Sequence, residues 1–425
     1  MDRRTKAHVS RACRDLLGCA AIAGCVGCGG DAAAWGGTVR DSAGIAIVEN
    51  TATGTWAAED VPTVTRELDI GTADGPAETQ LGTITGVGVD SDGRILALDT
   101  QARTVRVFDA EGTFVRDLGG PGTGPGELSQ ASAGIIVGAG DTVIVPDPLQ
   151  QRVNRYAPDG ASLGSFPMPL TGGIAIRWDR TPDDQLVHQI RRLPFGPQGG
   201  AAPEPEQAPA TGDPIVVRAL DGAILDTLAV LPGGETLSMS GGQMQMTIFA
   251  SEPVWDLAPD GRLFSGVNSE FRIRVHGADG TLERIIIHPV EQRTVTESDR
   301  DAIRTSMRKF MQEQGLPPQA AEPVLQAMQF ADVYPAFATL LAGPEGQLWV
   351  QRVRTPESIL ASGGSFEASD IGSPEWDVFD VEGRYLGVVT LPDRFQPFLA
   401  RDARLYGVWR DELDVQHVIR LRIDG

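Results

Sequence analysis

Apolar and polar residues alternate with a period of two through long stretches of the chain, the signature of half-buried strands. In "GRILALDTQARTVRVFDAEGTFVRDLGG", which starts at Gly93, Val105 and Val107 fall on one side of an extended segment and Arg106 and Phe108 on the other. A second stretch, "DTVIVPDPLQQRVNRYAPDGASLGSF", starts at Asp141 and aligns with the first at a spacing of 48 residues. Asp99 falls on Asp147, Val105 on Val153, Phe108 on Tyr156 and Gly112 on Gly160. Short alternating strands repeating at this period predict a propeller blade of four antiparallel strands, here called a to d.

The turns count the blades, because Asp-Gly and Glu-Gly pairs suit tight hairpins in which glycine accepts positive φ. Turns between strands c and d are expected at Glu111-Gly112, Asp159-Gly160, Asp221-Gly222, Asp279-Gly280 and Glu382-Gly383. Turns between a and b are expected at Asp92-Gly93, Gly140-Asp141, Asp183-Asp184, Asp260-Gly261, Glu345-Gly346 and Arg401-Asp402. Six a–b turns against five c–d turns leave the last blade without its outer strand, since the chain stops at Asp424-Gly425. The segment "TVTRELDIG" (63 to 71) precedes a linker like the one that follows blade 1. It therefore reads as strand d of blade 6, which closes the ring and removes open sheet edges. The expected fold is all-β, a six-bladed propeller over residues 61 to 425.

Strand direction alternates, so the a–b and c–d turns share one face and the b–c and d–a connections the other. Nearly every long connection falls on that second, elaborated face: 193 to 214, 231 to 246, 355 to 375, and a large insertion at about 291 to 333, between blades 4 and 5. Within the insertion, Ser298 and Asp301 resemble a capping box, and Ile303, Met307, Phe310 and Met311 form an apolar stripe at helical spacing. Gly315 and Pro317-Pro318 stop that helix, and "QAAEPVLQAMQF" predicts a second one.

The first 24 residues read as a targeting segment: a basic head with Arg3, Arg4, Lys6, Arg11 and Arg14, then the short apolar run "LLGCAAIAG". "IAGC", ending at Cys25, resembles the lipobox of bacterial lipoproteins. That resemblance implies a lipid on Cys25, which becomes the new N-terminus. Residues 25 to 60 follow as a tether and N-terminal segment. Val26 stands where some inner-membrane lipoproteins carry an aspartate. The expected location is thus the bacterial cell envelope, on the periplasmic side of the outer membrane. All four cysteines lie in the first 28 residues, so nothing beyond them can build a disulfide framework or thiolate metal site. The formal net charge is −21, which argues against nucleic acid as a partner.

The first two blades resemble the NHL-type repeat, which carries an Asp at the end of strand b and an Arg-Val before strand c. Asp147 with Arg152-Val153 fits, whereas Asp99 is followed by Thr104-Val105. This resemblance implies a fold and no single activity.

No HExxH, G-x-S-x-G or P-loop motif occurs, and His188, His276, His288 and His417 lack ligand spacing and read as surface or strand-edge residues. The glycine-rich "GGPGTGPGEL" (119 to 128) has neither a following lysine nor a following helix, so it reads as a blade-to-blade crossing. Polar residues at the ends of strands b point to the elaborated face. Asp99, Arg103, Asp147, Arg152, Asn268, Glu270, Arg352 and Arg410 are the candidate ligand-binding set. No catalytic residue, metal ligand or cofactor is assigned. The expected role is a binding module for an envelope protein, a glycan or a small molecule. The alternative is a metal-dependent hydrolase, because lactonase-type six-bladed propellers hold a metal in a ring of acidic and amide groups.

Overall fold

A computed structural model describes residues 34–129, 131, 133–168, 173–192, 212–240, 243–313, 315–355 and 371–425. The targeting segment, Cys25 and most of the 193 to 214 and 355 to 375 connections lie outside them. Six sheets form a ring; in five of them the four blade strands run in sequence order from the axis outward, and the sixth takes its outermost strand from the N-terminal part of the chain. Blade 1 comprises Ile84–Val89, Ile95–Asp99, Thr104–Phe108 and Phe114–Leu118. Blade 6 comprises Phe395–Arg401, Arg404–Arg410, Gln416–Asp424 and, from the other end of the chain, Thr63–Ile70. Every a–b and c–d turn expected from the sequence joins the strands assigned to it, and the N-terminal strand closes the ring as expected.

The core is divided into one apolar cluster for each of the six blade–blade interfaces. Strand b of blade 1 shows why its sequence, "ILALD", is apolar on both sides. Ile95 and Ala97 enter the cluster shared with blade 6, and Leu96 and Leu98 enter the cluster shared with blade 2. A strand covered on both faces reads as a continuous apolar run. The clusters continue around the ring: Tyr156, Ile144 and Trp178 join blades 2 and 3 to their neighbours, Trp255 joins blade 4 to blade 3, and Trp349 and Trp376 join blade 5 to blade 6.

Polar latches supplement these clusters. Asp141, in the a–b turn of blade 2, accepts from the Ser91 backbone N–H (2.8 Å) and hydroxyl (2.6 Å) of blade 1. Asp184, in the a–b turn of blade 3, accepts from the Ala139 backbone N–H of blade 2 (2.8 Å). Both aspartates sit at positive φ (57° and 61°), a conformation that aspartate tolerates better than most residues. At the closing blade, Glu67 of the N-terminal strand meets Arg404 (2.8 Å), Arg420 (3.2 Å) and Arg422 (3.0 Å).

From residue 34 onward, the segment expected as a tether adds structure that no repeat or turn in the sequence announces. Strand β1 (Thr38–Ser42) and strand β2 (Ile45–Glu49) form a hairpin on the outer edge of blade 4, with β2 parallel to Leu282–Ile287. Asn50 then bridges blades 4 and 5: its amide donates to the Ile287 and Gly383 carbonyls, and its Oδ1 accepts from Tyr385 N–H and Trp35 Nε1. Residues 34 to 70 thus strap the rims of blades 4, 5 and 6.

The insertion holds two helices, α1 (Glu297–Glu313) and α2 (Pro318–Ala327). Its start differs from the expected one. Thr296 and Asp299, not Ser298 and Asp301, exchange the reciprocal capping bonds (2.7 and 3.2 Å). Ile303 turns fully into a core made with Ile248, Phe249, Val295 and Tyr334. A bridge between Thr294 and Val333 brings the two ends of the insertion together. Between blades 3 and 4, Leu237–Ser240 and Gln243–Ile248 form a hairpin that pairs in parallel with Gln329–Phe330 of the insertion. Among the described residues, no helix is long and apolar enough to cross a membrane.

Glu67→Gln leaves three guanidiniums without their carboxylate; because Glu67 is exposed and its ion pairs are screened by solvent, the cost should be about 1 kcal/mol or less at neutral pH. The hydrogen bond from Arg404 holds the Glu67 carboxyl below its ordinary range. Its contribution is therefore complete above the unfolded pKa and is lost as pH falls through the lower folded value. Thermal denaturation of both proteins should show a Tm gap at pH 7 that closes in strong acid; a gap independent of pH would contradict this.

Candidate functional site

The innermost strands and the ends of strands b surround a channel with a cavity of about 930 Å³, lined from all six blades. Phe249, Ile248 and Ile371 belong both to its wall and to the cluster that carries α1. The insertion is therefore packed at the mouth on the elaborated face.

The eight candidate residues divide sharply. Asn268 and Arg410 line the cavity. Asn268 is 2% exposed, and its Oδ1 accepts from Glu252 N–H (2.7 Å). Glu252, also on the wall, is fixed by Thr236 N–H (2.9 Å) and Arg191 (2.7 Å).

The other six are occupied elsewhere. Asp99 and Asp147 are fully buried. Asp99 accepts from the backbone of Gly82, Thr83 and Ala102, and Asp147 accepts from Ser129 and Gln150. Each carboxylate ties the incoming connection to the end of strand b, so the aspartate shared by the two repeats is a fastening. Arg152 donates to the Thr123, Gly124 and Glu127 carbonyls (3.2, 2.6 and 2.7 Å). The "GGPGTGPGEL" loop thus turns carbonyls toward a cation, the reverse of a phosphate cradle. Arg352 pairs with Asp377 (2.8 Å) and Glu375 (3.4 Å). Glu270 is 61% exposed beside Arg272, and Arg103 is exposed in the b–c turn at φ 56°.

The histidines depart from their expected surface or edge placement. His188, His276 and His288 are buried, because flat rings fill the space between blades. His188 stacks on Trp178 (4.2 Å between centroids) and accepts from Arg218 Nε (3.1 Å). Burial, then the Arg218 charge, pull its pKa down to about 3, so it stays neutral. His417 lies at the ring closure, 2.6 Å from Asp69.

Sequence reasoning missed a polar group on the channel wall between blades 3 and 4. Arg177 donates to Asp256 Oδ1 (2.6 Å), whose other oxygen accepts from Ala342 N–H of blade 5 (2.6 Å). Asp179 lies on the same wall, half-buried, with Oδ1 accepting from Arg180 N–H (2.7 Å). Burial, then the Asp256 charge, push the Asp179 carboxyl up to about 7. Asp256 itself is held by a cation and a backbone donor, so the two carboxyls have different environments. These residues sit on strands a, whose alternation gives no sign of which side chains meet across blades. Among the described residues, no group of three or more His, Cys, Asp or Glu has an arrangement that could hold a metal ion.

A family model described as a 6-bladed beta-propeller matches residues 76–170. No curated protein matches the sequence. Among solved structures, a protein from Bacteroides fragilis named as exported is similar at 14% identity with a TM-score of 0.51, covering 89% of this chain and 100% of its own. A member of the duf4221 family from Bacteroides vulgatus is similar at 10% identity with a TM-score of 0.51, covering 86% and 99%. A gluconolactonase from Xanthomonas campestris shares 14% identity over 86% and 95%, with a TM-score of 0.42. The first two likenesses bear on the fold alone.

Because the folded carboxyl at 179 titrates above its unfolded value, it costs stability increasingly from about pH 4 to pH 7 and fully above that. Asp179→Asn should therefore raise Tm at pH 8, with the gain disappearing near pH 3.5. An equal gain at both pH values would refute the assignment.

Proposed function

We propose that this protein is a lipid-anchored propeller of the bacterial cell envelope that binds a ligand in its channel from the elaborated face. The observation that carries this reading is the cavity of about 930 Å³, walled by all six blades, with polar groups set among apolar ones and the insertion at its mouth. Ligand sites have this size and mixed lining. Anchoring rests on the "IAGC" lipobox at Cys25 and the basic and apolar segment before it. Outer-membrane placement rests on Val26. The metal-dependent hydrolase reading gains no support from a cluster of three or more His, Cys, Asp or Glu side chains among the described residues.

Two experiments test the proposal. Cys25→Ala should abolish incorporation of labelled palmitate and move the protein from the membrane to the soluble fraction. Unchanged labelling and fractionation would remove the anchor. Native mass spectrometry of the full chain purified from its envelope should show a retained non-covalent mass. That mass should be absent when Thr294 is joined to Val333 by a short glycine linker, a deletion that their pairing permits. Stoichiometric divalent metal together with metal-dependent lactone hydrolysis would overturn the binding role in favour of the hydrolase.

A further inference from the structure

Three of the six innermost strands carry a β-bulge, and each bulge sets its extra residue on the channel wall. In blade 1 the pairing steps from Ile84–Asp99 to Gly86–Leu98 and omits Thr85. In blade 3 it steps from Ile176–Gln189 to Trp178–His188 and omits Arg177. In blade 6 it steps from Pro397–Gly407 to Leu399–Tyr406 and omits Phe398. All three omitted residues line the cavity. A bulge takes one side chain out of strict alternation and re-aims it. Arg177 also holds φ at 46°, a left-handed conformation that costs a non-glycine residue about 1 kcal/mol or more. Three such departures converging on one cavity are not needed to close a blade, since blades 2, 4 and 5 pair their innermost strands without a register shift.

We infer that the bulged strands build a saccharide subsite in the channel, in which a neutral sugar ring hydrogen-bonds Arg177 and Asp179 and rests an apolar face on Phe398. This inference rests on the reading of the channel as a ligand site and gives that ligand a chemical class. The charges favour a neutral ligand. The Arg177 guanidinium is already matched by Asp256 at 2.6 Å, so Arg177 is not a spare cation for an anion. The chain's net charge of −21 opposes anionic ligands further.

The donor and acceptor types favour hydroxyls. Arginine only donates, an ionised carboxylate only accepts, and each hydroxyl of a sugar does both. Arg177 keeps 39% of its side-chain surface exposed on the channel wall. Asp179 uses one oxygen on the Arg180 N–H, and with its carboxyl pushed up to about 7 it can donate as well as accept near neutral pH. Phe398 supplies the flat apolar face on which the C–H side of a sugar ring can lie.

The test uses the full chain and a defined panel: glucose, galactose, mannose, N-acetylglucosamine, cellobiose and, as the charged control, glucuronic acid. Saturation-transfer NMR and titration calorimetry should detect at least one neutral sugar. Phe398→Ala and Arg177→Gln should weaken it about tenfold or more, equivalent to about 1.4 kcal/mol. Phe398→Ala and Asp179→Asn carry the test if Arg177→Gln does not fold, with Tm measured alongside to separate lost binding from lost folding. Binding by no neutral sugar at millimolar concentration, or binding unaffected by all three variants, overturns the saccharide subsite. Binding of glucuronic acid alone also overturns it while leaving the channel a ligand site. The channel reading itself fails separately, through the native mass experiment.

Discussion

The structure depends on each blade being covered on both faces by its neighbours. A strand such as Ile95–Asp99 puts Ile95 and Ala97 into one interface and Leu96 and Leu98 into the next. No blade can bury its apolar surface alone, and an unclosed ring would leave two faces wet. Hydrophobic burial, at roughly 25 cal/mol per Å², makes such exposure prohibitive over a whole sheet. Closure is therefore a requirement of the fold, and the chain meets it by pairing residues 63–70 with residues 418–424. The charge arrangement supports the same joint: one glutamate of the N-terminal strand holds three arginines of blade 6.

The closing strand explains the path of the N-terminal segment. To reach blade 6, the chain crosses the rims of blades 4 and 5, and it uses the crossing. The hairpin of β1 and β2 covers the outer edge of blade 4, and Asn50 satisfies carbonyls from two blades at once. An outer edge otherwise offers unpaired backbone groups to any passing strand. On the proposed reading, this strap also passes any load on the lipid anchor into the ring through three blades.

A ring built for stability leaves function to the places that depart from the repeat. The connections on the plain face are short hairpins, and those on the elaborated face hold the insertion and the 237–248 hairpin. The regular polar positions at the ends of strands b became fastenings: Asp99, Asp147 and Arg152 secure the blade-to-blade connections. The irregular positions, Arg177 and its neighbours on the channel wall, are where charge and strain collect. Repetition thus marks what holds the molecule together, and departures from repetition mark the surface available to a ligand.

The sequence by itself determined the strand rhythm, the number of blades, the turns and the closing strand. Each follows from period-two alternation, glycine in tight hairpins and an unequal count of turns, all local or countable properties. It also placed the helical insertion, with its capping box two residues late. Only the tertiary structure decided which polar residues face the channel. Asp99 and Arg410 look alike along the chain, yet one is wholly buried in backbone bonds and the other lines the cavity. The bulges at Thr85, Arg177 and Phe398, the pairing of Arg177 with Asp256 and the hairpin on blade 4 were equally hidden. Each arises between segments tens to hundreds of residues apart, where the partner is chosen by packing in three dimensions and not by spacing along the chain.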